Sequence, residues 1–186
     1  MNVYDFDGTI YDGDSSVDFF LYALKRKSSL LSYAPRQAWG FLLSGLKRIS
    51  KTQLKEYFFS FLSNIDTEKL TEDFWNQNRR KIYKWYLDQQ QPDDIIISAS
   101  QEFLLLPICS RLGICHLIAS EVDPETGMFT GENCRGQEKV QRLESEYNVN
   151  HIDAFYSDSL SERPLAEVAD KAFRVDKGIV REWKGI

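Results

Sequence analysis

The chain has 186 residues, 42% of them hydrophobic and 27% charged, with a formal net charge of -5. That is enough for one core of ordinary size with room for an inserted subdomain, and it excludes a disordered or fibrous protein. The acidic balance argues against nucleic acid as a partner, and three cysteines, Cys109, Cys115 and Cys134, lack ligand-type spacing, which fits thiols packed in the core of a cytoplasmic protein better than a disulfide framework.

No basic region followed by an apolar one precedes the first strand, so a signal peptide is not expected. The opening run Val3-Tyr4-Asp5-Phe6-Asp7-Gly8-Thr9-Ile10 reads as a strand from Asn2 or Val3 to about Phe6. If both are extended, Asp5 and Asp7 share a face of that strand. Gly8 lets the backbone leave sharply. Carboxylates this close repel each other unless a cation stands between them, so the pair implies a metal. From these residues alone, an Asp-rich turn closing the strand is an equal alternative.

From Ser15 to about Gln91 the pattern is helical throughout, carried by Val17, Phe20, Leu21 and Leu24, then Leu54, Phe58, Phe61 and Leu62, then Phe74, Ile82, Trp85 and Tyr86. The stretch is too long for an ordinary connection. It reads as a helical subdomain, residues 15–91, inserted between two parts of a core formed by 1–14 and 92–186, and placed to cover Asp5 and Asp7 as a lid. Gly8, Gly13 and the stretch Gln89 to Pro92 would be its hinges. Its longest apolar stretch, Ser29 to Leu46, is broken by Pro35, Arg36 and Gln37 and makes a poor transmembrane span. Basic residues from Lys25 to Lys55 are concentrated beside aromatic ones; a solvated helix face and a surface for anionic lipid or a phosphorylated polymer are the two readings.

Beyond it, apolar runs at Asp94 to Ser98, His116 to Ala119 and Ile152 to Ser157, with a shorter one at Ala172 to Val175, predict strands. Helical segments at Gln101 to Leu112, Gly136 to Tyr147 and Glu162 to Ala169 alternate with them, which is the pattern of a parallel α/β sheet. Pro124-Glu125-Thr126-Gly127 predicts a small hairpin over Val122 to Thr130. Ser98-Ala99-Ser100 places a hydroxyl and small residues at a strand's carboxyl end, where backbone amides can meet an anion, although a serine helix cap gives the same signal. Lys139 would reach back from the helix after Gly136. Asp158 ends another strand, with Glu162 four residues on.

Taken in order, Asp5-Phe6-Asp7-Gly8-Thr9, Ser98, Lys139 and Tyr156-Ser157-Asp158 with Glu162 resemble the haloacid dehalogenase superfamily of aspartate-nucleophile hydrolases. The resemblance implies a Rossmann-like parallel core with an all-helical C1 cap of the phosphoserine phosphatase type. Gly13-Asp14-Ser15, Cys134-Arg135-Gly136 and Pro164-Leu165 are more similar to the bacterial branch that includes phosphatidylglycerophosphatase C. The family's roles, carried onto these positions, make Asp5 the nucleophile and Asp7 the acid and base. Asp5, Asp7 and Asp158 would hold Mg²⁺, and Ser98 and Lys139 would bind the phosphoryl group, lined further by Gly8, Thr9, Ala99 and Ser100. Glu162 stands where the family usually carries Asp, and its extra methylene leaves direct metal contact open. Asp14 would meet a substrate ammonium or cap the first helix. The implied activity is hydrolysis of a phosphomonoester, either a lipid phosphate such as phosphatidylglycerophosphate at the inner face of a membrane or a phosphoserine-type metabolite. A catalytically silent binding module with the same fold is the alternative from another class.

Overall fold

The computed structural model describes residues 1–148 and 151–185. Its strands are β1 (Asn2–Tyr4), β2 (Ile95–Gln101), β3 (His116–Ser120), β4 (Ile152–Ser157), β5 (Ala169–Asp176) and β6 (Ile179–Glu182). They form one sheet in the order β3-β2-β1-β4-β5-β6, parallel except for β6, which pairs antiparallel with β5. Side chains alternate along β1 and β2, so Tyr4 and Ile96 enter one apolar cluster while Val3, Ile95 and Ile97 enter the other. Helix α6 (Glu102–Leu112) contributes Leu104, Leu105 and Ile108 to the first cluster. On the opposite face the second cluster takes Val140 and Leu143 from a helix at Gln137–Tyr147 and Leu165 and Ala166 from a short one at Arg163–Ala166.

Between β1 and β2 the chain forms five α-helices, α1 (Ser15–Arg26), α2 (Ala34–Gly45), α3 (Lys51–Phe59), α4 (Thr67–Asn78) and α5 (Lys84–Gln89). The two helices after β3 are accordingly α7 (Gln137–Tyr147) and α8 (Arg163–Ala166). Local chemistry sets their starts: Asp14 caps α1 through the Val17 amide at 3.0 Å, and Ser50 and Gln53 form a reciprocal capping box on α3.

The inserted helices are not held apart from the core. Phe19, Tyr22, Phe74, Trp75 and Tyr86 share the apolar cluster of Tyr4, Phe6 and α6. Phe6 and Tyr11 stack at 5.7 Å, Trp75 meets both edge to face, and its indole N–H donates to the Leu104 carbonyl at 2.6 Å. The insertion's entry and exit are also tied together, since Asp12 N donates to Lys81 O and Tyr83 N to Ile10 O, each at 2.8 Å. From the core, the turn over Val122 and Phe129 clasps the insertion: Thr67 Oγ1 donates to Pro124 O at 2.7 Å and Phe129 N to Glu56 Oε1 at 3.2 Å.

Several elements differ from the sequence expectations. β1 stops at Tyr4 and only Asp5 continues its ladder, through Asp5 N to Tyr156 O at 2.9 Å. Asp7 therefore lies in a turn and does not share an extended face with Asp5; Gly8, at φ +69°, reverses the chain there. The helix expected over Glu162 to Ala169 is confined to Arg163–Ala166, because Ala169 already pairs with Ile152. β6 was not foreseen; Lys177 and Gly178, both at positive φ, make the tight turn into it. Cys109 and Cys134 are buried, but Cys115 is exposed rather than packed. Among the described residues no helix is long and apolar enough to cross a membrane.

Trp75 makes the joint between insertion and core measurable. Trp75→Ala should cost about 3–5 kcal/mol of stability, read as a shift of the urea midpoint, with insertion and core still unfolding together.

Candidate active site

β1 is flanked by β2 on one side and β4 on the other, and the connections that follow β1 and β2 pack on the opposite face from those that precede and follow β4. The crevice of an open parallel sheet falls at such a reversal, beyond the strands' carboxyl ends. There a cavity of about 640 Å³ is lined by Asp5, Asp7, Gly8, Asp14, Ser98, Ala99, Ser100, Lys139, Asp158 and Glu162. Of the residues singled out in the sequence, only Thr9 is not among its lining; it is fully buried and its hydroxyl accepts the Asp158 amide at 3.0 Å.

Asp5 is fixed from three directions. Its Oδ1 accepts from Lys139 Nζ and from the Phe6 amide, both at 2.9 Å, whereas Oδ2 has only the Ser157 hydroxyl at 3.3 Å. Lys139 is completely buried and lies 3.2 Å from Glu162 Oε2 as well. Burial works against its charge, but attraction to Asp5 and Glu162 outweighs this and raises its pKa above the usual lysine value. Glu162, also buried, thus faces the lysine through an ionic contact, and Ser161 Oγ donates to its other oxygen at 3.4 Å.

Asp7 is held by donors. Ser15 N donates to Oδ1 at 2.7 Å and the Ser100 hydroxyl to Oδ2. Burial, and then the charge of Asp14, push its carboxyl up to about 7. Asp158 is raised to about 6, by burial first and by the neighbouring Asp5 carboxylate second. Gly8 makes room for it: a Cβ on Gly8 would lie 2.3 Å from Asp158 Oδ2.

Ser98, Ala99 and Ser100 stand opposite the single Ala119 of β3, so β2 bulges there. The Ser100 hydroxyl is engaged by Asp7 and its amide by Ser98 Oγ at 3.1 Å, while the Gly8 amide is used by Gly13 O at 2.9 Å. Buried polar groups must be satisfied, and the Ser100 hydroxyl and amide and the Gly8 amide find their partners within the protein. Asp14 spends its side chain on the α1 cap.

Lys55 was read only as part of a basic stretch, yet it enters the cavity from α3. Its Nζ donates to Ala99 O at 2.7 Å and Asn133 Oδ1 at 2.9 Å, both neutral acceptors, and burial lowers its pKa to about 8. Arg135 also lines the cavity, and Val17, Phe41, Leu54, Phe58 and Phe59 give it an apolar wall. Nothing in the spacing of these residues announces a shared site; only the fold, in which α3 stands near enough for Lys55 to reach Ala99, brings them together.

Among the described residues no three His, Cys, Asp or Glu side chains converge as a ready metal cluster. The oxygen-only pair Asp5 and Asp158, with mutual repulsion and the space left by Gly8, nevertheless fits a hard divalent cation that keeps several waters.

A parallel sheet with an acid leaving its central strand, a buried lysine on that acid and helices inserted directly after it defines a hydrolase of the haloacid dehalogenase type. The pattern of the haloacid dehalogenase-like hydrolases matches residues 3–167, and the chain belongs to that family. Among its relatives, a probable phosphatase of Mycobacterium tuberculosis is 36% identical over 100 residues, covering 48% of this chain and 34% of that protein. The match thus spans about a third of the relative's length. A histidinol-phosphatase of Neisseria meningitidis is 22% identical over 95% of this chain and 90% of its own. In fold, the chain is similar to a protein of unknown function from Bordetella pertussis, with TM-score 0.74 and 20% identity over 92% of this chain and 87% of the other. A substrate-bound phosphoserine phosphatase gives TM-score 0.60 at 14% identity, over 92% and 83%.

Two outcomes follow from the geometry. Gly8→Ala should displace Asp158 and strain the turn, so divalent-cation affinity measured by calorimetry falls by about tenfold or more. Because the folded Asp7 binds its proton up to about 7 and the unfolded one only to 3.8, its contribution to stability is full below 3.8 and is lost as pH rises through 7. In metal-free buffer the melting temperature of wild type should therefore fall relative to Asp7→Asn across that window.

Proposed function

We propose that the chain is a Mg²⁺-dependent phosphomonoester hydrolase working through an aspartyl-phosphate on Asp5. The observation that carries this reading is the contrast within the opening pair: Asp5 lies 2.9 Å from a buried lysine, while Asp7 is pushed up to about 7 two residues away. Oδ1 of Asp5 is engaged twice and Oδ2 once and loosely, which favours Oδ2 as the attacking atom. It bonds to phosphorus as the ester P–O bond breaks, and Asp7 gives its proton to the departing alcohol. In the second half Asp7 takes a proton from water, whose oxygen displaces the Asp5 carboxylate and releases phosphate.

Lys139 and the Ser98 hydroxyl would bind phosphoryl oxygens, with Glu162 keeping Lys139 in place. Asp5, Asp158 and the Asp7 backbone carbonyl would hold Mg²⁺, which when bound neutralises charge between carboxylate and phosphate. Residues 15–91 would act as the cap on a core of 1–14 and 92–186.

The apolar wall of Val17, Phe41, Leu54, Phe58 and Phe59 supports an ester with an apolar body, a lipid phosphate such as phosphatidylglycerophosphate, met at the cytoplasmic face of a membrane. A phosphoserine-type substrate would place its ammonium on Asp14, whose side chain already caps α1.

Asp5→Asn should reduce turnover of p-nitrophenyl phosphate to background, and chelation should do the same to wild type until Mg²⁺ is restored. Full activity in either case ends the proposal. In a panel of esters, a short-chain phosphatidic acid should exceed phosphoserine in kcat/KM by about tenfold or more.

A further inference from the structure

Between Asp18 and Glu56 the chain carries eight basic residues and no acidic one, in a protein of net charge -5. Lys55 turns into the cavity. The other seven, Lys25, Arg26, Lys27, Arg36, Lys47, Arg48 and Lys51, are all exposed. Among the described residues none of the seven forms a salt bridge. A solvated face in an acidic protein would have drawn acids to it.

Within this basic region α2 packs one side on its neighbour and exposes large apolar residues on the other. Gln37 and Gly40 are buried, and Gly40 lies so close to Tyr57 of α3 that a Cβ would come within 2.5 Å of that side chain. On the opposite side Trp39, Leu42 and Leu46, spaced three and four residues apart, share one face of the helix and its end. With Leu31 and Phe41 they are 52–59% exposed. A clustered exposed apolar patch of this kind marks an interaction surface.

We propose that this face of α2 docks on a lipid bilayer containing anionic phospholipid, with Trp39, Leu42 and Leu46 entering the interface and the surrounding lysines and arginines on the headgroups. The charge decides the occupant. A second copy of the chain would bring identical unpaired cations against each other in a two-fold contact, whereas an anionic bilayer answers both the apolar ridge and its basic collar. Long basic side chains can lay their stems along the ridge and keep their charges at headgroup level. Phe41 is exposed on another side of α2 and also lines the cavity, so one helix borders both the docking face and the site. The lipid nature of the substrate rests on the phosphatase reading; the docking does not.

Co-sedimentation with vesicles of phosphatidylcholine alone, and of phosphatidylcholine and phosphatidylglycerol in equal parts, tests it. The chain should pellet with the mixed vesicles, lose about tenfold or more in binding at high salt, and stay in solution with phosphatidylcholine alone. The triple variant Trp39→Ser, Leu42→Ser, Leu46→Ser, and separately the pair Arg48→Glu, Lys51→Glu, should each bind mixed vesicles about tenfold more weakly or worse. Both should hydrolyse soluble p-nitrophenyl phosphate as wild type does, which also reports that they fold. Equal binding to both vesicle types, no binding at low salt, or a dimer in gel filtration that the triple variant dissolves would each overturn the proposal. Loss of p-nitrophenyl phosphate turnover by wild type, with vesicle binding intact, would count against the phosphatase reading alone.

Discussion

The ammonium of Lys139 between Asp5 and Glu162 is the contact on which the rest of the site depends. Three charged groups are withdrawn from water at the centre of the sheet edge, and each is tolerable only because of the other two. Removing one partner of such a set leaves an unpaired buried charge, typically a loss of about 3–5 kcal/mol. The arrangement also joins elements distant in sequence: Asp5 directly follows β1, α7 supplies Lys139, and the turn after β4 supplies Glu162. Here the longer side chain of a glutamate matters, because the acid approaches from a 3₁₀ turn at Leu160–Glu162 and reaches the lysine. Its place beside Lys139 gives it a reason to be there that is independent of any metal.

The second carboxylate of the opening pair lives under opposite conditions. Among the described residues no salt bridge reaches Asp7; it has donors from Ser15 and Ser100 and a like charge in Asp14. Two acids separated by one residue are thereby given different protonation behaviour by their surroundings, the pattern expected where one attacks and the other moves protons. Burial is the larger cause of the elevated Asp7 carboxyl and the charge of Asp14 the smaller.

What could be read in the chain divides along the range of the forces involved. Asp5 at the end of an apolar run, Asp158 at the end of another, and Ile95 to Ser98 between them were legible because strand patterns and turn residues are local. The alternation of strands and helices carried the parallel core for the same reason. Local pattern said nothing of Lys55 entering the cavity, since that depends on the fold bringing α3 within reach of Ala99, nor of Ser100 serving Asp7, since that depends on a bulge fixed by pairing with β3. β6 escaped notice because four residues ending in charged ones give little alternation, and its turn at Lys177 and Gly178 is only visible once β5 is known to extend to Asp176. The insertion's length was clear, but its intimacy with the core was not, because Trp75 and Tyr86 look the same in sequence whether they face a partner helix or the sheet.

That intimacy divides the insertion by its capacity for change. Through the aromatic joint of Phe6, Tyr11 and Trp75, α1, α4 and α5 are committed to the same packing as the sheet, and any lineage altering them must repair the core at the same time. Helix α2 is under no such obligation, since its close approach is that of Gly40 to Tyr57 of α3, whereas α3 itself is tied to the core through Lys55, Glu56 and Phe59. Descent can therefore rewrite the outer face of α2 while the acids below it stay fixed. New preferences in proteins built this way would be acquired by changing one helix, and the age of the chemistry and the age of its target need not be the same.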